Sequence, residues 1–303
     1  MKYFYLLIFT FCADLYPESF IKLISTWEKK NKKQVSILIY KTSSSSVLLT
    51  YGSNINLDRV YSIGSLMKPI SALILLEEDF VYLKSKFSKC SGKIFFENPS
   101  LYDKDTYHFI DNHHFYCSQL NGHGKINIEE AIYLSCNSFF INKVSIDSNL
   151  FLEKLDSYLY LKTKNDTQYL SELDKVFSSI GESRKIKFQL REILSIYDYM
   201  ITSKSFLNYK ISEKNRKIVY NSLKLTVERG TLSDLKSNRN IVLVAGKTGT
   251  STQVFNKKRT DAWILVYLEK ENSLYTLLIY IPKAKAKKEG KEVLQLILDT
   301  FEF

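Results

Sequence analysis

Gly64-Ser65-Leu66-Met67-Lys68-Pro69-Ile70-Ser71-Ala72-Leu73-Ile74-Leu75-Leu76 is the stretch from which the rest of the chain is read. From Ser65 to about Phe80 the residues are apolar nearly all round, which describes a helix buried on every side. Gly64 permits a sharp turn before it, and Pro69 is tolerated only in the first helical turn, where a missing N–H costs nothing. Ser65 therefore stands at the helix start, and Lys68, three residues on, shares its face. A lysine heading so apolar a helix needs a partner or a purpose. Burial disfavours its charged form and draws its pKa down from about 10.4, so that a neutral amine can accept the proton of Ser65. The N–H groups of the helix start can face an oxyanion. The same Ser-x-x-Lys spacing recurs at Ser19/Lys22 and Ser233/Lys236. The first of these lies among charges and the second in a polar turn, so neither has a reason to be buried.

Two further motifs supply chemistry that a serine acyl-transfer site would use. Asn127 with Glu130 predicts a helix N-cap, and Ala131 to Leu134 carry that helix to Ser135-Cys136-Asn137, at the junction with another helix. Ser135 can relay a proton between Lys68 and a leaving group, and Asn137 can bind a substrate amide or hold Lys68. Two ordinary capping residues are the plain alternative. Lys247-Thr248-Gly249-Thr250 follows the apolar run Ile241 to Ala245. A lysine and hydroxyls there can bind a carboxylate, and Gly249 lets a substrate lie close along the strand. A strand-end turn is the alternative. The distance to Trp263 predicts an inner strand with an open face.

Outside the motifs, Ser19 to Lys30 is predicted as a helix, and Gln34 to Tyr40 with Val47 to Tyr51 as a hairpin across the turn Thr42 to Ser46. Ile128 to Leu225 reads as mainly helical. Three strands follow, at Ile241 to Ala245, Asp261 to Glu269 and Ser273 to Ile281, and a closing helix runs from Lys291 to Phe301. Strands at both ends with helices between predict an α/β (α+β) sandwich: one antiparallel sheet built from both chain ends, covered by helices and joined to a helical lobe over about 66–225. With 303 residues and 45% hydrophobic content the chain can bury a sizeable core.

Met1-Lys2 followed by the apolar run Tyr3 to Ala13 has the layout of a signal peptide or short membrane anchor over residues 1–13, leaving 14–303 as a single domain. The run falls short of the roughly 20 residues of a spanning helix. The expected location is exported, periplasmic or at the outer face of the cytoplasmic membrane. The net charge of +11, part of it at Lys283, Lys285, Lys287, Lys288 and Lys291, favours contact with an anionic membrane surface; a solvated loop is the plainer reading. No nucleic-acid-binding signature accompanies it. Cys90 and Cys117 are either a disulfide pair or free thiols. His108, His113, His114 and His123 lack zinc-type ligand spacing, so no metal is expected, and no cofactor either.

The ordered motif set resembles the transpeptidase domain of penicillin-binding proteins, which share a superfamily with the serine β-lactamases. Tyr61-Ser-Ile-Gly-Ser-Leu-Met-Lys-Pro69 is similar to the nucleophile segment of class B enzymes, with Ile63 where proline is common. Gly122-His-Gly-Lys125 leading to Ser135-Cys-Asn-Ser-Phe-Phe140, and Gly230-Thr231 before Ala245-Gly-Lys-Thr-Gly-Thr250 with Asp261-Ala-Trp263 after it, resemble the remaining segments. The resemblance spans about Gln34 to Phe303. It implies Ser65 as nucleophile, Lys68 as its base, Ser135 as proton relay, Asn137 as substrate and lysine contact, and Lys247, Thr248, Gly249 and Thr250 as the substrate-binding strand. The backbone N–H groups of Ser65 and Thr250 would form the oxyanion hole. The partners implied are peptidoglycan stem peptides, with β-lactams as covalent inhibitors. Only the stretch up to Lys33 precedes the first strand, whereas class B enzymes usually carry a long N-terminal module, and no segment resembles a glycosyltransferase. A D,D-carboxypeptidase, a β-lactamase and a non-catalytic β-lactam-binding protein remain as alternatives. Against the β-lactamase, no Glu-x-x-Leu-Asn segment is found, and Asn137 stands where a class D enzyme would have Val.

Overall fold

A helix, α1 (Glu18–Asn31), and a hairpin of β1 (Ser36–Lys41) and β2 (Ser46–Tyr51) open the fold. The computed structural model describes residues 18–80, 86–93, 117–159, 170–183, 185–203, 211–236, 241–252 and 260–300. The export segment 1–13, His108, His113 and His114 lie outside them. After the short strand β3 (Val60–Tyr61), a 3-10 turn at Gly64–Leu66 leads into α2 (Met67–Glu77). Next come β4 (Ser88–Cys90), β5 (Gly124–Ile126), α3 (Ile128–Tyr133), α4 (Asn137–Val144), α5 (Ser148–Leu159) and α6 (Glu172–Ser178). The chain continues with β6 (Phe188–Gln189), α7 (Leu190–Thr202), α8 (Glu213–Glu228), β7 (Val242–Thr252), β8 (Thr260–Lys270), β9 (Ser273–Ile281) and α9 (Lys291–Thr300).

The main sheet has the order β2-β1-β9-β8-β7 with every pair antiparallel, so the two chain ends share one sheet as expected. Its inner strands β1, β9 and β8 read as nearly continuous apolar runs because both of their faces are covered. Along β8, Ile264, Val266 and Leu268 face one way, and pack with Phe20 and Ile24 of α1 and Val293, Leu294 and Ile297 of α9. Trp263, Leu265 and Tyr267 face the other way, into a larger core built around α2. Every residue from Met67 to Leu76 is buried, which is what the uniformly apolar sequence of α2 requires. Burying a leucine or isoleucine side chain there stabilises by roughly 1.5–3 kcal/mol.

The position of β7 corrects one expectation. The strand does not stop before Lys247 but runs on to Thr252, and it lies at the edge of the sheet. The C-terminal strands form a meander, and the N-terminal hairpin adds to the free side of β9, so among the described residues β7 keeps only β8 as a strand neighbour. Spacing to Trp263 reveals the pairing with β8 and carries no information about the other side.

One buried carboxylate ties the helical lobe to the sheet. Asp198 on α7 accepts hydrogen bonds from Tyr40 Oη (2.8 Å), Tyr267 Oη (3.0 Å) and Thr276 Oγ1 (3.1 Å). Burial raises its pKa to about 6, against the pull of those three donors. Replacing Asp198 with alanine strands three buried donors and is expected to cost about 2–4 kcal/mol, read by urea unfolding at pH 7. The unfolded carboxyl ionises near pH 4, below the folded one, so the unfolded chain binds fewer protons between these values. Relative to Asp198→Asn, wild type is therefore expected to lose stability as pH rises from about 4 through about 6.

Candidate active site

The 3-10 turn and β7 are pressed together. Gly64 has φ +53°, and a Cβ on it would lie 2.4 Å from the carbonyl oxygen of Thr250, so a side chain there would drive the turn off the strand. The Gly64 N–H donates to Gly181 O at 3.2 Å, and Tyr197 Oη of α7 donates to Leu66 O at 2.7 Å. These contacts fix Ser65, half-buried, at the head of α2. Its hydroxyl has no hydrogen bond to another described residue. Sequence reading assigned no part to Gly181 or Tyr197, which lie far from the motifs along the chain and signal nothing by type.

Lys68 is wholly buried, and its Nζ lies 2.7 Å from Ser135 O, 2.5 Å from Asn137 Oδ1 and 3.2 Å from Ser135 Oγ. The second motif is where its cap signals put it. Asn127 and Glu130 form a complete capping box, α3 ends before Ser135, and Asn137 begins α4. Ser135 takes a left-handed conformation, φ +60°, which turns the chain between the two helices. Lys247, also wholly buried, reaches the same hydroxyl, with Nζ 2.9 Å from Ser135 Oγ and 3.1 Å from Thr248 O.

Two buried lysine amines thus converge on one hydroxyl, with neutral oxygens as their partners. Burial lowers the pKa of Lys68 to about 8, the nearby thiols of Cys117 and Cys136 pulling the other way. Lys247 is pushed well below its ordinary value, first by burial and then by the positive charges of Lys68 and Lys287. The pair cannot comfortably hold two charges at neutral pH. The two carbonyl-type oxygens beside Lys68 occupy two N–H donors, which is the number a neutral amine has.

Side chains alternate along β7. Lys247 points toward Ser135, and Gly249 meets the nucleophile turn, where an added Cβ would lie 2.7 Å from Ile63 O. Thr248 Oγ1 lies 3.0 Å from Thr231 Oγ1, while Thr250 Oγ1 accepts the Ala286 N–H at 3.1 Å and keeps its own proton to donate. Thr231 was visible in sequence only as part of the family-like segment. Ser65, Asn137 and Thr250 are partly exposed and mark the mouth of the site; Lys68, Ser135, Lys247 and Thr248 form its buried floor. The basic C-terminal cluster is partly absorbed by local partners: Lys291 pairs with Asp234 at 2.5 Å, and Lys287 Nζ lies 3.3 Å from Ser118 O beside the site.

Cys90, Cys117 and Cys136 are free thiols. Packing gathers these three sulfurs and a ring nitrogen of His123 within 4.8 Å of one another, a grouping that the histidine spacing did not suggest. The four residues come from three separate stretches, Cys90 from one, Cys117 with His123 from a second and Cys136 from a third, so spacing along the chain could not show them as a set.

No family model matches this chain, and no curated protein matches it. Solved structures do. The D,D-transpeptidase domain of a peptidoglycan glycosyltransferase from Eggerthella lenta superposes with a TM-score of 0.64 at 13% identity, covering 92% of this chain and 81% of that one. Penicillin-binding protein PBP2 from Helicobacter pylori gives 0.65 at 17% identity over 93% of this chain and 62% of its own. A class D β-lactamase from Fusobacterium nucleatum gives 0.57 at 14% over 90% and 95%. The chain therefore has the serine β-lactamase/transpeptidase fold.

Proposed function

We propose that this protein is a penicillin-binding serine D,D-transpeptidase that cross-links peptidoglycan stem peptides through an acyl-enzyme on Ser65. The observation that carries the reading is the convergence of Lys68, three residues after Ser65, and Lys247 on Ser135 Oγ, at 3.2 and 2.9 Å. In this reading Ser65 Oγ attacks the carbonyl carbon of the penultimate D-Ala, and its proton passes to the neutral Lys68 Nζ. The oxyanion is met by the N–H groups of Ser65 and Thr250. Ser135 hands a proton to the departing D-Ala amine, and Lys68 re-protonates Ser135. Lys247, Thr248 and Thr250 hold the terminal carboxylate, Gly249 lets the substrate lie along the edge of β7, and Asn137 binds the peptide amide while steadying Lys68. An acceptor amine then attacks the ester and frees Ser65. A β-lactam acylates Ser65 by the same steps.

An edge strand supports this reading, because an extended peptide can lie against unpaired backbone groups there. Among the described residues no helix is long and apolar enough to cross a membrane. We place the protein outside the cytoplasmic membrane, where its substrate would be.

Fluorescent penicillin is expected to label the wild-type chain covalently and to leave Ser65→Ala unlabelled. Equal labelling of both, or none of wild type, overturns the nucleophile assignment. Incubation with a stem-peptide donor and an amine acceptor is expected to yield cross-linked product with release of D-Ala. Hydrolysis alone would make the enzyme a carboxypeptidase, and rapid turnover of a chromogenic cephalosporin would make it a β-lactamase.

A further inference from the structure

We propose that Cys90, Cys117, His123 and Cys136 bind one zinc ion, and that this ion clamps the turn carrying Ser135 and Asn137. The four ligand atoms lie within 4.8 Å of one another, and three of their separations are shorter still. Cys90 Sγ and Cys117 Sγ are each 3.5 Å from His123 Nδ1, and Cys117 Sγ is 3.5 Å from Cys136 Sγ. Tetrahedral zinc, with Zn–S of about 2.3 Å and Zn–N of about 2.0–2.1 Å, sets S···S at about 3.8 Å and S···N at about 3.6 Å. The cluster therefore needs only small movements to accept the ion. Cys90, Cys117 and Cys136 are 3%, 5% and 0% exposed, so the site is closed, and four protein ligands leave no open position. Both features belong to a structural zinc site and not to a metal acting on substrate.

The surroundings are built to present these ligands. Cys90 ends β4, and the turn after it interlocks with the turn before β5: a Cβ on Gly92 would strike Leu120 O, and one on Gly122 would strike Cys90 O. The Cys117 N–H donates to Gly92 O at 2.7 Å, closing the two turns together. The Asn137 N–H points at Cys117 Sγ from 3.2 Å, an arrangement that stabilises a sulfur carrying negative charge. His123 Nε2 faces Ser118 Oγ at 3.5 Å, and Ser118 Oγ donates to Leu134 O at 3.0 Å. That contact leaves Nδ1 for the metal, orienting the ring as metal-bound histidines are commonly oriented. On binding, the thiol protons leave to solvent.

Cys136 lies between Ser135 and Asn137, and Cys117 receives the Asn137 N–H, so two of the four ligands grip the segment that holds Lys68. Nothing in acyl transfer calls for a metal here. The ion's part is to hold a left-handed turn and a short helix start in place.

The experiment uses the full chain, purified under reducing conditions. Elemental analysis is expected to find one zinc per chain. Cobalt(II) added to the stripped protein is expected to give the visible bands of a tetrahedral site with thiolate-to-cobalt charge transfer. His123→Ala is expected to weaken cobalt binding by about 10–100-fold or more, and His123→Cys to restore it. Because a cysteine variant can fail to fold, the wild-type cobalt titration stands as the primary measurement. Removing the metal is expected to speed amide hydrogen exchange over residues 134–138. Substoichiometric zinc together with no tetrahedral cobalt spectrum, or a Cys117–Cys136 disulfide in the unreduced protein, overturns the site. Unchanged exchange over 134–138 overturns the clamp. None of these readouts requires the protein to react with penicillin, so they stand apart from the fate of Ser65.

Discussion

Lys68→Met is expected to slow acylation of Ser65 by a penicillin by about 1,000-fold or more, and to abolish the rise of that rate with pH. Methionine keeps the length and burial of the side chain and deletes only the amine. In wild type the amine's pKa lies near 8 because burial disfavours its charge. Below that pH the protonated form has no lone pair for the Ser65 proton, so the rate should fall about tenfold per pH unit below a limb near pH 8. Above it the amine is free and the rate should level off. A general base contributes about 100- to 10,000-fold, and here the same group also returns the proton to Ser135, which places the expected loss within that range. The measurement is the second-order rate of penicillin labelling from pH 6 to pH 10 for both proteins. A variant that acylates at the wild-type rate, or a wild-type rate without a limb in this range, would remove Lys68 from the role of base. A loss of folding would be visible as lost cooperativity in urea, and the conservative change is chosen to avoid it: its main structural cost is the loss of the two hydrogen bonds from Nζ to Ser135 O and Asn137 Oδ1.

That Lys68 would be buried could be read directly from sequence, because its nine apolar or small neighbours between Met67 and Leu76 leave the helix no exposed face. The capping box at Asn127 and Glu130 was legible for a similar reason: its two hydrogen bonds are local, and local chemistry is written in adjacent residues. The sharing of one sheet by both chain ends followed from strand-like runs at each end. Long-range choices were not legible. The placement of β7 at the edge depends on whether the N-terminal hairpin joins the C-terminal meander beside β9 or beside β7, a long-range choice with no local mark. The support of the nucleophile turn by Gly181 and Tyr197 is equally silent in sequence, since a backbone contact and a tyrosine hydroxyl leave no periodic trace. The Cys3His cluster is the clearest case. Zinc spacing rules look for ligands a few residues apart on one knuckle, and here β4, the segment before β5 and the start of α4 each contribute from a different part of the chain.

Ser135→Ala is expected to lower the acylation rate by about 100- to 1,000-fold, and Ser135→Gly to lower it equally. The two variants separate the hydroxyl from the backbone that carries it. Ser135 holds φ at +60°, a conformation that glycine adopts freely and alanine does not, so the glycine variant relieves local strain while alanine retains it. If the residue served only to turn the chain between α3 and α4, glycine would be the better residue there and its labelling rate would match wild type. If the hydroxyl is the bridge between Lys68 and Lys247, both variants lose the proton path at 3.2 and 2.9 Å, and the rates fall together while thermal stability favours glycine. Lys247 makes the contrast sharper. Its ammonium is wholly buried with Ser135 Oγ and Thr248 O as neutral partners, and deleting the hydroxyl removes one of them. Its charged form then becomes still less favourable, so binding of a carboxylate-bearing substrate should weaken alongside the rate. Penicillin concentration series on the two variants would show this as a higher half-saturating concentration combined with a lower limiting rate. A fall in limiting rate alone would confine Ser135 to proton transfer and leave Lys247 independent of it.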